Sequence, residues 1–332
     1  MTDQLLGSAA APPTEAAAEE AWRRVQLARH PQRPRTLDLV ALMFEGFFEL
    51  HGDRVYGDDA AIVGGPALLD GRAVMVIGHQ KGTDTDSNIH RNFGSPHPEG
   101  FRKAQRLMRL ADKLGLPIIT FLDTAGAFPG PAAEERGQAE AIASSIKLMT
   151  GIQVPIIVVV LGEGGSGGAL AIGVGDVVIA LENSVYSVIS PEGASSILWR
   201  SKDEARTAAA AMRMTAHDQA DLGVVDVVVP EPGDGAHTDA AATASALKTA
   251  ILTALRGLAG RDTPELLATR YARIRGMGAY LETGAGPSRP AELPSLRRRI
   301  GRILRLPGVP RRPRWSEIWP SDDGDDESER GA

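Results

Sequence analysis

The sequence predicts an α/β protein in which a mostly parallel sheet is covered by helices. Short apolar segments alternate with longer amphipathic segments along most of the 332 residues, and these two periodicities indicate strands and helices. Parallel strands need crossover connections, which helices of this length provide. Two of the apolar segments end in glycine-rich turns, and α/β proteins place their sites at such strand ends.

The first third of the chain is predicted to contain two helices and then a hairpin. Thr36 precedes a helical pattern and is expected to be its N-cap. Asp70 and Gly71 separate two apolar segments, which indicates a tight β-hairpin. The predicted elements are helices over 17–29 and 37–44, strands over 60–69 and 72–79, and a loop over 80–98.

Helices and strands then alternate as far as residue 258. Ser190 and Pro191 fit the N-cap and the first position of one further helix. The predicted helices cover 99–114, 134–149, 205–214, 216–222 and 238–258, and another begins at 166. The predicted strands cover 117–122, 154–161, 176–181, 185–189 and 224–229.

The composition excludes several classes of protein. A hydrophobic fraction of 43% supports a large core, and a net charge of −6 argues against nucleic-acid binding by the chain as a whole. The absence of cysteine excludes disulfides and thiolate zinc sites in this sequence. No segment approaches the roughly 18 apolar residues of a membrane span, and the first residues lack a signal-peptide pattern. We therefore expect a cytoplasmic protein with no metal site.

Three segments differ in composition. Residues 1–21 are rich in Ala, Pro and Glu and are predicted to be a flexible lead, whereas residues 22–280 form the folded domain. Residues 281–332 are rich in arginine and then acidic, which predicts a weakly ordered extension. The arginine-rich part has helical apolar spacing, so contact with nucleic acid, a membrane or a partner is a second, less favoured interpretation.

The most informative feature is the turn that follows strand 154–161. Its residues are Glu163, Gly164, Gly165, Ser166, Gly167 and Gly168. Glycine lets the main chain approach a ligand closely, and the first turn of the next helix has unpaired N–H groups and a positive dipole end. The glycine turn is therefore predicted to stabilise an oxyanion.

A second glycine-containing turn follows strand 117–122. Gly126 and Gly130 permit close main-chain approach, and Glu134 and Glu135 favour the start of the next helix. A purely structural turn would look the same, and Asp123 can equally accept local N–H bonds.

Ser166 supports a rival hypothesis. Gly164 to Gly168 satisfy the G-x-S-x-G pattern of serine hydrolases, and Asp226 and His237 follow in the required order. The pattern has many chance matches, so a nucleophilic Ser166 is the less favoured interpretation.

Eight motifs together resemble the carboxyltransferase alpha subunit of bacterial acetyl-CoA carboxylase. They are VQLARHPQRP at 25–34, IVGG at 62–65, IGHQKG at 77–82, RNFG at 91–94, PEG at 98–100, AEERGQ at 133–138, GEGGSGGALAIGVG at 162–175 and SVISPEG at 187–193. The resemblance covers roughly residues 22–277. It implies a crotonase-like superhelix of ββα units and one half of an active site, the other half being a beta subunit.

The resemblance also implies an activity and its site. A carboxyl group would move from carboxybiotin on a carrier protein to acetyl-CoA, giving malonyl-CoA for fatty acid biosynthesis. The N–H groups of Gly167 and Gly168 would form an oxyanion hole for the ureido oxygen of biotin. The implied substrate-binding residues are Gly164, Gly165, Ser166, Gly126, Ala127, Phe128, Lys81 and Arg91. The implied partners are the beta subunit, the biotin carboxyl carrier protein and biotin carboxylase, with an α2β2 carboxyltransferase.

The loop after Lys81 departs from the family. Asp84 and Asp86 stand where the family is usually more basic, so attraction for coenzyme A phosphates or an acidic partner would be weaker. A third hypothesis follows, in which the chain is a non-catalytic paralogue that acts through its arginine-rich extension.

Overall fold

The computed structural model describes residues 13–278. The helices are α1 Glu15–Ala28, α2 Thr36–Met43, α3 Thr85–His90, α4 Pro98–Leu114, α5 Pro131–Glu135, α6 Gln138–Gly151, α7 Ser166–Leu170, α8 Pro191–Leu198, α9 Ala205–Ala211, α10 Ala216–Asp221, α11 Ala240–Leu258 and α12 Thr263–Arg275. The strands are β1 Ile62–Leu69, β2 Arg72–His79, β3 Ile118–Thr124, β4 Ile156–Gly165, β5 Val177–Leu181, β6 Val185–Ser187 and β7 Val227–Val229.

The strands form one mostly parallel sheet, as predicted. Its order is β1-β2-β3-β4-β5-β7, and β6 pairs with the end of β4 beyond β5. Among the described strands, only β1 and β2 are antiparallel. β4 lies at the centre, and its apolar residues from Ile156 to Leu161 are fully buried. Burial on both faces explains why this strand is a continuous apolar run.

The hairpin between β1 and β2 is confirmed. Asp70 and Gly71 have φ values of 54° and 73°, which suit the tight two-residue turn that joins twisted strands. The N-cap prediction for Thr36 is wrong, because α2 begins at Thr36 and Arg35 is its N-cap. The Thr36 hydroxyl instead donates to the buried carbonyl of His79 at 2.5 Å, which ties α2 to the end of β2.

Two predicted elements differ from the structure at polar or glycine positions. The loop predicted over 80–98 contains α3, whose N-cap Asp84 accepts a hydrogen bond from the Ser87 amide at 2.9 Å. The helix predicted over 134–149 is divided into α5 and α6, since Gly137 between them has a φ of 83°. Glycine adopts this left-handed conformation without the steric penalty of a side chain.

The last helix, α12, was not predicted, and a single buried arginine anchors it. Arg270 is 1% exposed and forms two hydrogen bonds with the Asp176 carboxylate, at 2.6 and 2.8 Å. It also donates to the carbonyls of Met149, Ile152 and Val154. The apolar pattern of this helix is weak, so its position depends on these tertiary contacts.

Ser190 is the N-cap of α8, as predicted. Its hydroxyl oxygen accepts a hydrogen bond from the Gly193 amide.

The chain termini bear on the predicted domain limits. The limit predicted at residue 22 falls inside α1, where Ala18 and Ala21 are already buried. The predictions for residues 1–12 and for the extension 281–332 lie outside the described residues. In the part of the chain that the structure describes, no helix combines the length and apolarity needed to cross a membrane.

Candidate active site

The glycine turn forms where β4 passes into α7. Gly165 is extended, with φ −96° and ψ 125°, and is the N-cap of α7. Ser166 follows with a φ of 52°, a left-handed conformation that is uncommon for a residue with a side chain. This left-handed turn of the main chain leaves Ser166 exposed and places Gly167 at the surface of a cleft.

The two glycine turns predicted from the sequence pack against each other. A Cβ atom on Gly168 would lie 2.5 Å from the amide nitrogen of Ala127 and 2.6 Å from the carbonyl carbon of Gly126. A Cβ on Gly165 would collide with the carbonyl group of Ala125. Only residues without a side chain allow this approach. The ends of β3 and β4 therefore form one continuous main-chain surface.

The amides of Gly167 and Gly168 have different surroundings. Both lie in the first turn of α7, where N–H groups have no intrahelical acceptor. Gly167 lines two cavities, whereas Gly168 is buried beneath it and lines neither. The geometry therefore favours Gly167 as the amide that a ligand reaches first.

The larger cavity, here called the first cavity, measures about 480 Å³. Its walls include Ala127, Phe128 and Ile142 together with Gly126 and Gly167. The ring of Phe128 stacks on the ring of His97, with 4.2 Å between the ring centres. Five of the predicted substrate-binding or catalytic residues thus meet here, and they are Gly126, Ala127, Phe128, Ser166 and Gly167.

The wall of the first cavity also contains a buried acceptor without a partner. The side-chain nitrogen of Gln138 donates to the carbonyls of Pro96 and Phe128, both at 2.9 Å. These bonds fix the orientation of the amide group. The oxygen of Gln138 is buried and has no partner among the described residues. Buried acceptors are usually paired, so this unpaired oxygen is an exception in the wall of the cavity.

A second cavity, of about 410 Å³, lies on the other side of the same turn. It shares Ser166, Gly167 and Val188 with the first cavity. Its other walls include Leu170, Tyr186, Ser187, Met212 and Gln219. Sequence analysis did not predict this cavity, because its walls come from β6, α7 and the ends of α9 and α10, which are brought together only by the fold.

Lys81 lies in an ion-pair network behind the glycine turn. Its Nζ atom is 2.7 Å from Asp123 Oδ1 and 3.2 Å from Glu163 Oε2. Arg29 continues the network, with contacts of 2.6 Å to both Glu163 and Glu192. Burial opposes the charge on Lys81, but the Asp123 and Glu163 carboxylates outweigh it and raise its pKa. Lys81 therefore carries its charge to balance two carboxylates of its own chain.

The other predicted cationic contact, Arg91, lies apart from the two cavities. Its guanidinium group donates to the carbonyl of Ala60 at 2.8 Å, which links the loop after α3 to the residues before β1. Neither Lys81 nor Arg91 lines either cavity. Their proposed contacts with a substrate remain predictions.

His79 is a buried histidine beneath the glycine turn. It is fully buried, and neither ring nitrogen has a partner of good geometry among the described residues. Burial lowers its pKa to about 4, against the opposing effect of the Asp123 carboxylate and of the nearby Phe121 and Gly168 carbonyls. His79 is therefore neutral at physiological pH and packs as a buried structural residue.

The structure does not assemble a catalytic triad around Ser166. The Asp226 carboxylate accepts from the Val178 amide and pairs with Arg273. The ring of His237 stacks on that of His30, with ring centres 3.8 Å apart. No hydrogen bond joins Ser166 to either residue within the described chain, so a base for this serine is not in place.

Comparison with known proteins identifies the family. A family model described as acetyl co-enzyme A carboxylase carboxyltransferase-like matches residues 15–278. The chain belongs to this family. It is 56% identical over 260 residues to the acetyl-coenzyme A carboxylase carboxyl transferase subunit alpha of Listeria welshimeri, covering 78% of this chain and 82% of the relative. The same subunit of Methylococcus capsulatus is 57% identical over 262 residues, covering 79% and 82%. The resemblance predicted from the motifs is confirmed.

Solved structures agree with the fold of this carboxyltransferase family. A chain of the Pseudomonas malonate decarboxylase hetero-dimer has a TM-score of 0.55 at 20% identity, covering 76% of this chain and 96% of that one. Transcarboxylase 12S has a TM-score of 0.53 at 19% identity, covering 75% and 43%. The beta subunit of Pseudomonas aeruginosa geranyl-CoA carboxylase has 0.52 at 18% identity, covering 85% and 52%. The predicted crotonase-like α/β class is confirmed.

Proposed function

We propose that this chain is the alpha subunit of a carboxyltransferase that moves the carboxyl group of carboxybiotin to acetyl-CoA and so forms malonyl-CoA. The observation that carries the proposal is the amide of Gly167, which lies without an intrahelical acceptor at the wall of a cavity large enough for a small ring system. The family membership of the chain and its near relatives support the same reaction.

The first cavity fits the ureido ring of biotin. Ala127 and Ile142 provide apolar surface for the sulfur-containing face of the ring system. The Gly167 amide would donate to the ureido oxygen of biotin. When bound, biotin supplies the carboxyl group, which it carries on a ring nitrogen.

Within residues 13–278, no cluster of three or more acidic or histidine side chains is arranged to hold a metal ion.

The glycine turn stabilises negative charge on a ligand oxygen. The Gly167 N–H is fixed by the packing of the turn against Ala127, so it needs little rearrangement during the reaction. The positive end of the short α7 dipole adds to this effect. Loss of one such donor typically costs ~10²–10³ in rate. Gly168 holds the turn in place by packing against the main chain of Gly126 and Ala127. The left-handed conformation of Ser166 turns the chain from β4 into α7.

The proposal includes partners that the chain needs. The second half of the site would come from a beta subunit, and biotin would be delivered by a carrier protein loaded by biotin carboxylase. An α2β2 assembly in the cytoplasm is part of this proposal. Val188 and Leu170, which are exposed apolar residues at the cavity edge, suit contact with the beta subunit.

Reconstitution tests the proposed function. The purified chain is mixed with a carboxyltransferase beta subunit, and malonyl-CoA-dependent carboxylation of free biotin is measured. We expect activity in the mixture and none with either chain alone. Inactivity of the mixture, together with labelling of Ser166 by a fluorophosphonate, would contradict the proposal and support a serine hydrolase.

A further inference from the structure

The side chain of Arg29 joins two segments of the chain that lead into the walls of the first cavity. Arg29 is the C-cap of α1, so its main chain is held by a helix. Its Nε atom donates to Glu163 Oε1 at 2.6 Å, and Glu163 lies in β4 just before the glycine turn. Its Nη1 and Nη2 atoms donate to the two carboxylate oxygens of Glu192, at 2.6 and 3.3 Å, in the first turn of α8. One guanidinium group therefore links β4 to α8.

The segment 188–190, which leads into α8, lines the first cavity together with Gly167. It lies between β6 and α8 and belongs to neither a strand nor a helix. Val188 is 76% exposed, so its side chain does little to pack the segment in place. The Ser187 hydroxyl donates to the Ile189 carbonyl at 2.8 Å, which ties the segment only to its own neighbour. The distance from this segment to the glycine turn thus depends on the elements at its two ends.

The charges at this link are balanced, and its contribution to stability is small. Burial opposes the charge on Arg29, but its bonds to Glu192 and Glu163 raise its pKa. Burial likewise opposes the charge on Glu192, and the bond from Arg29 lowers its pKa. The Arg29 and Glu192 side chains are 31% and 34% exposed, and pairs with this exposure add little to the free energy of unfolding. Glu163 also has a second cation, Lys81 at 3.2 Å, so it stays paired without Arg29.

We propose that Arg29 is a positioning residue for carboxyl transfer, which holds segment 188–190 at a fixed distance from the Gly167 amide. The inference rests on the proposed carboxyltransferase function and adds to it a residue that lies outside both cavities. A displacement of about 1 Å in a reacting group can cost about 10²-fold in rate, so the spacing of the walls matters. The planar guanidinium group suits this role, because its donors point in fixed directions to two carboxylates.

Two variants and a matched control separate this role from a general effect on the fold. Arg29→Met removes the whole link between β4 and α8. Glu192→Met separates only α8 and leaves Arg29 paired with Glu163. Arg24→Met is the control, because Arg24 lies on the same helix, pairs with Glu20 at 2.8 Å and lines neither cavity.

The first measurement is the carboxylation of free biotin by malonyl-CoA in the reconstituted alpha–beta complex, at a temperature where every variant is folded. We expect Arg29→Met and Glu192→Met each to lower kcat/KM for biotin by about 10- to 100-fold, and Arg24→Met to leave it unchanged. The double variant should be no slower than Arg29→Met, because both changes break the same link. Arg29→Lys should restore only part of the loss, since its ammonium group lacks the fork of donors. A merely structural role would lower the melting temperature without this pattern.

The second measurement does not require activity. Hydrogen exchange of the amides of residues 186–192 is followed by mass spectrometry in the purified full chain. We expect exchange to be about 3- to 10-fold faster in Arg29→Met and Glu192→Met, and unchanged in Arg24→Met. Wild-type exchange rates in both variants, or a wild-type kcat/KM for biotin, would overturn the positioning role alone. An inactive wild-type complex would contradict the proposed function instead, and the exchange rates then decide whether Arg29 holds the segment.

Discussion

The main chain of Gly168 packs directly on that of Ala127, with 2.5 Å between the Ala127 amide nitrogen and the position that a Cβ on Gly168 would occupy. This contact joins the ends of β3 and β4 and holds the glycine turn in place. The same substitution at two adjacent glycines therefore has different consequences.

Gly168→Ala is expected to destabilise the fold, because a methyl group must push the two turns apart. The expected loss in free energy of unfolding is about 1–3 kcal/mol, measured by urea denaturation. Gly167→Ala is the matched control, since its Cβ would meet only Ile142 side-chain atoms, at 3.5 and 3.6 Å. Equal stability of the two variants would contradict the packing described for the turn.

Removal of the Gly167 N–H is expected to impair catalysis. Gly167→Pro deletes this donor in a helical turn where it has no intrahelical acceptor. We expect carboxyl transfer by the complex to fall by ~10²–10³, with a much smaller effect for Gly167→Ala, which keeps the N–H. A thermal melt of both variants separates this effect from misfolding. If the folded proline variant transfers at the wild-type rate, this amide does not stabilise the reaction.

Ser166 is expected to be a strained residue and not a nucleophile. Its φ of 52° suits glycine, so Ser166→Gly should raise the free energy of unfolding by roughly 1 kcal/mol. Ser166→Ala removes the hydroxyl and should leave carboxyl transfer near the wild-type rate. Loss of transfer in the alanine variant, with the fold intact, would show that the hydroxyl takes part.

Lys81 is expected to contribute mainly to stability. Lys81→Met leaves Asp123 and Glu163, whose side chains are 8% and 13% exposed, without their shared cation. We expect a loss of about 2–3 kcal/mol, part of which Asp123→Asn in the same chain should restore. Lys248→Met is the control, since its 3.7 Å pair with Asp70 is mostly exposed and should contribute little. A normal melt with a raised KM for acetyl-CoA would instead indicate substrate binding by Lys81.

His79 is expected to make stability depend on pH. Its pKa is lowered to about 4 in the folded chain, so the unfolded chain binds more protons between about pH 6.5 and 4. Stability is therefore fully present above this interval and is lost as the pH falls through it. At pH 5 the loss from this group should be ~2 kcal/mol. His79→Gln should lose correspondingly less stability between pH 7.5 and 5 in urea titrations, and identical pH profiles would contradict the buried neutral state.

Much of the fold and of the site could be predicted from local patterns. The periodicity of strand 154–161 and the Asp70-Gly71 turn depend on neighbouring residues, and both predictions agree with β4 and the hairpin. Predictions that depended on partners distant in the sequence were less successful. Thr36 was expected to cap a helix, yet its hydroxyl donates to the carbonyl of His79. The pairing of Lys81 with Asp123 was not predicted either, and the contact of Lys81 with a substrate stays a prediction.

The sequence by itself determined the α/β class, the family and the glycine turn that carries Gly167, because each follows from residue types at short spacing. Only the tertiary structure decided that Gly167 lines two cavities while Gly168 is buried, and that Tyr186 faces the same site. The physical reason is that periodicity and turn preferences act over a few residues. Burial and cavity shape depend on segments that the sheet brings together from distant positions in the chain.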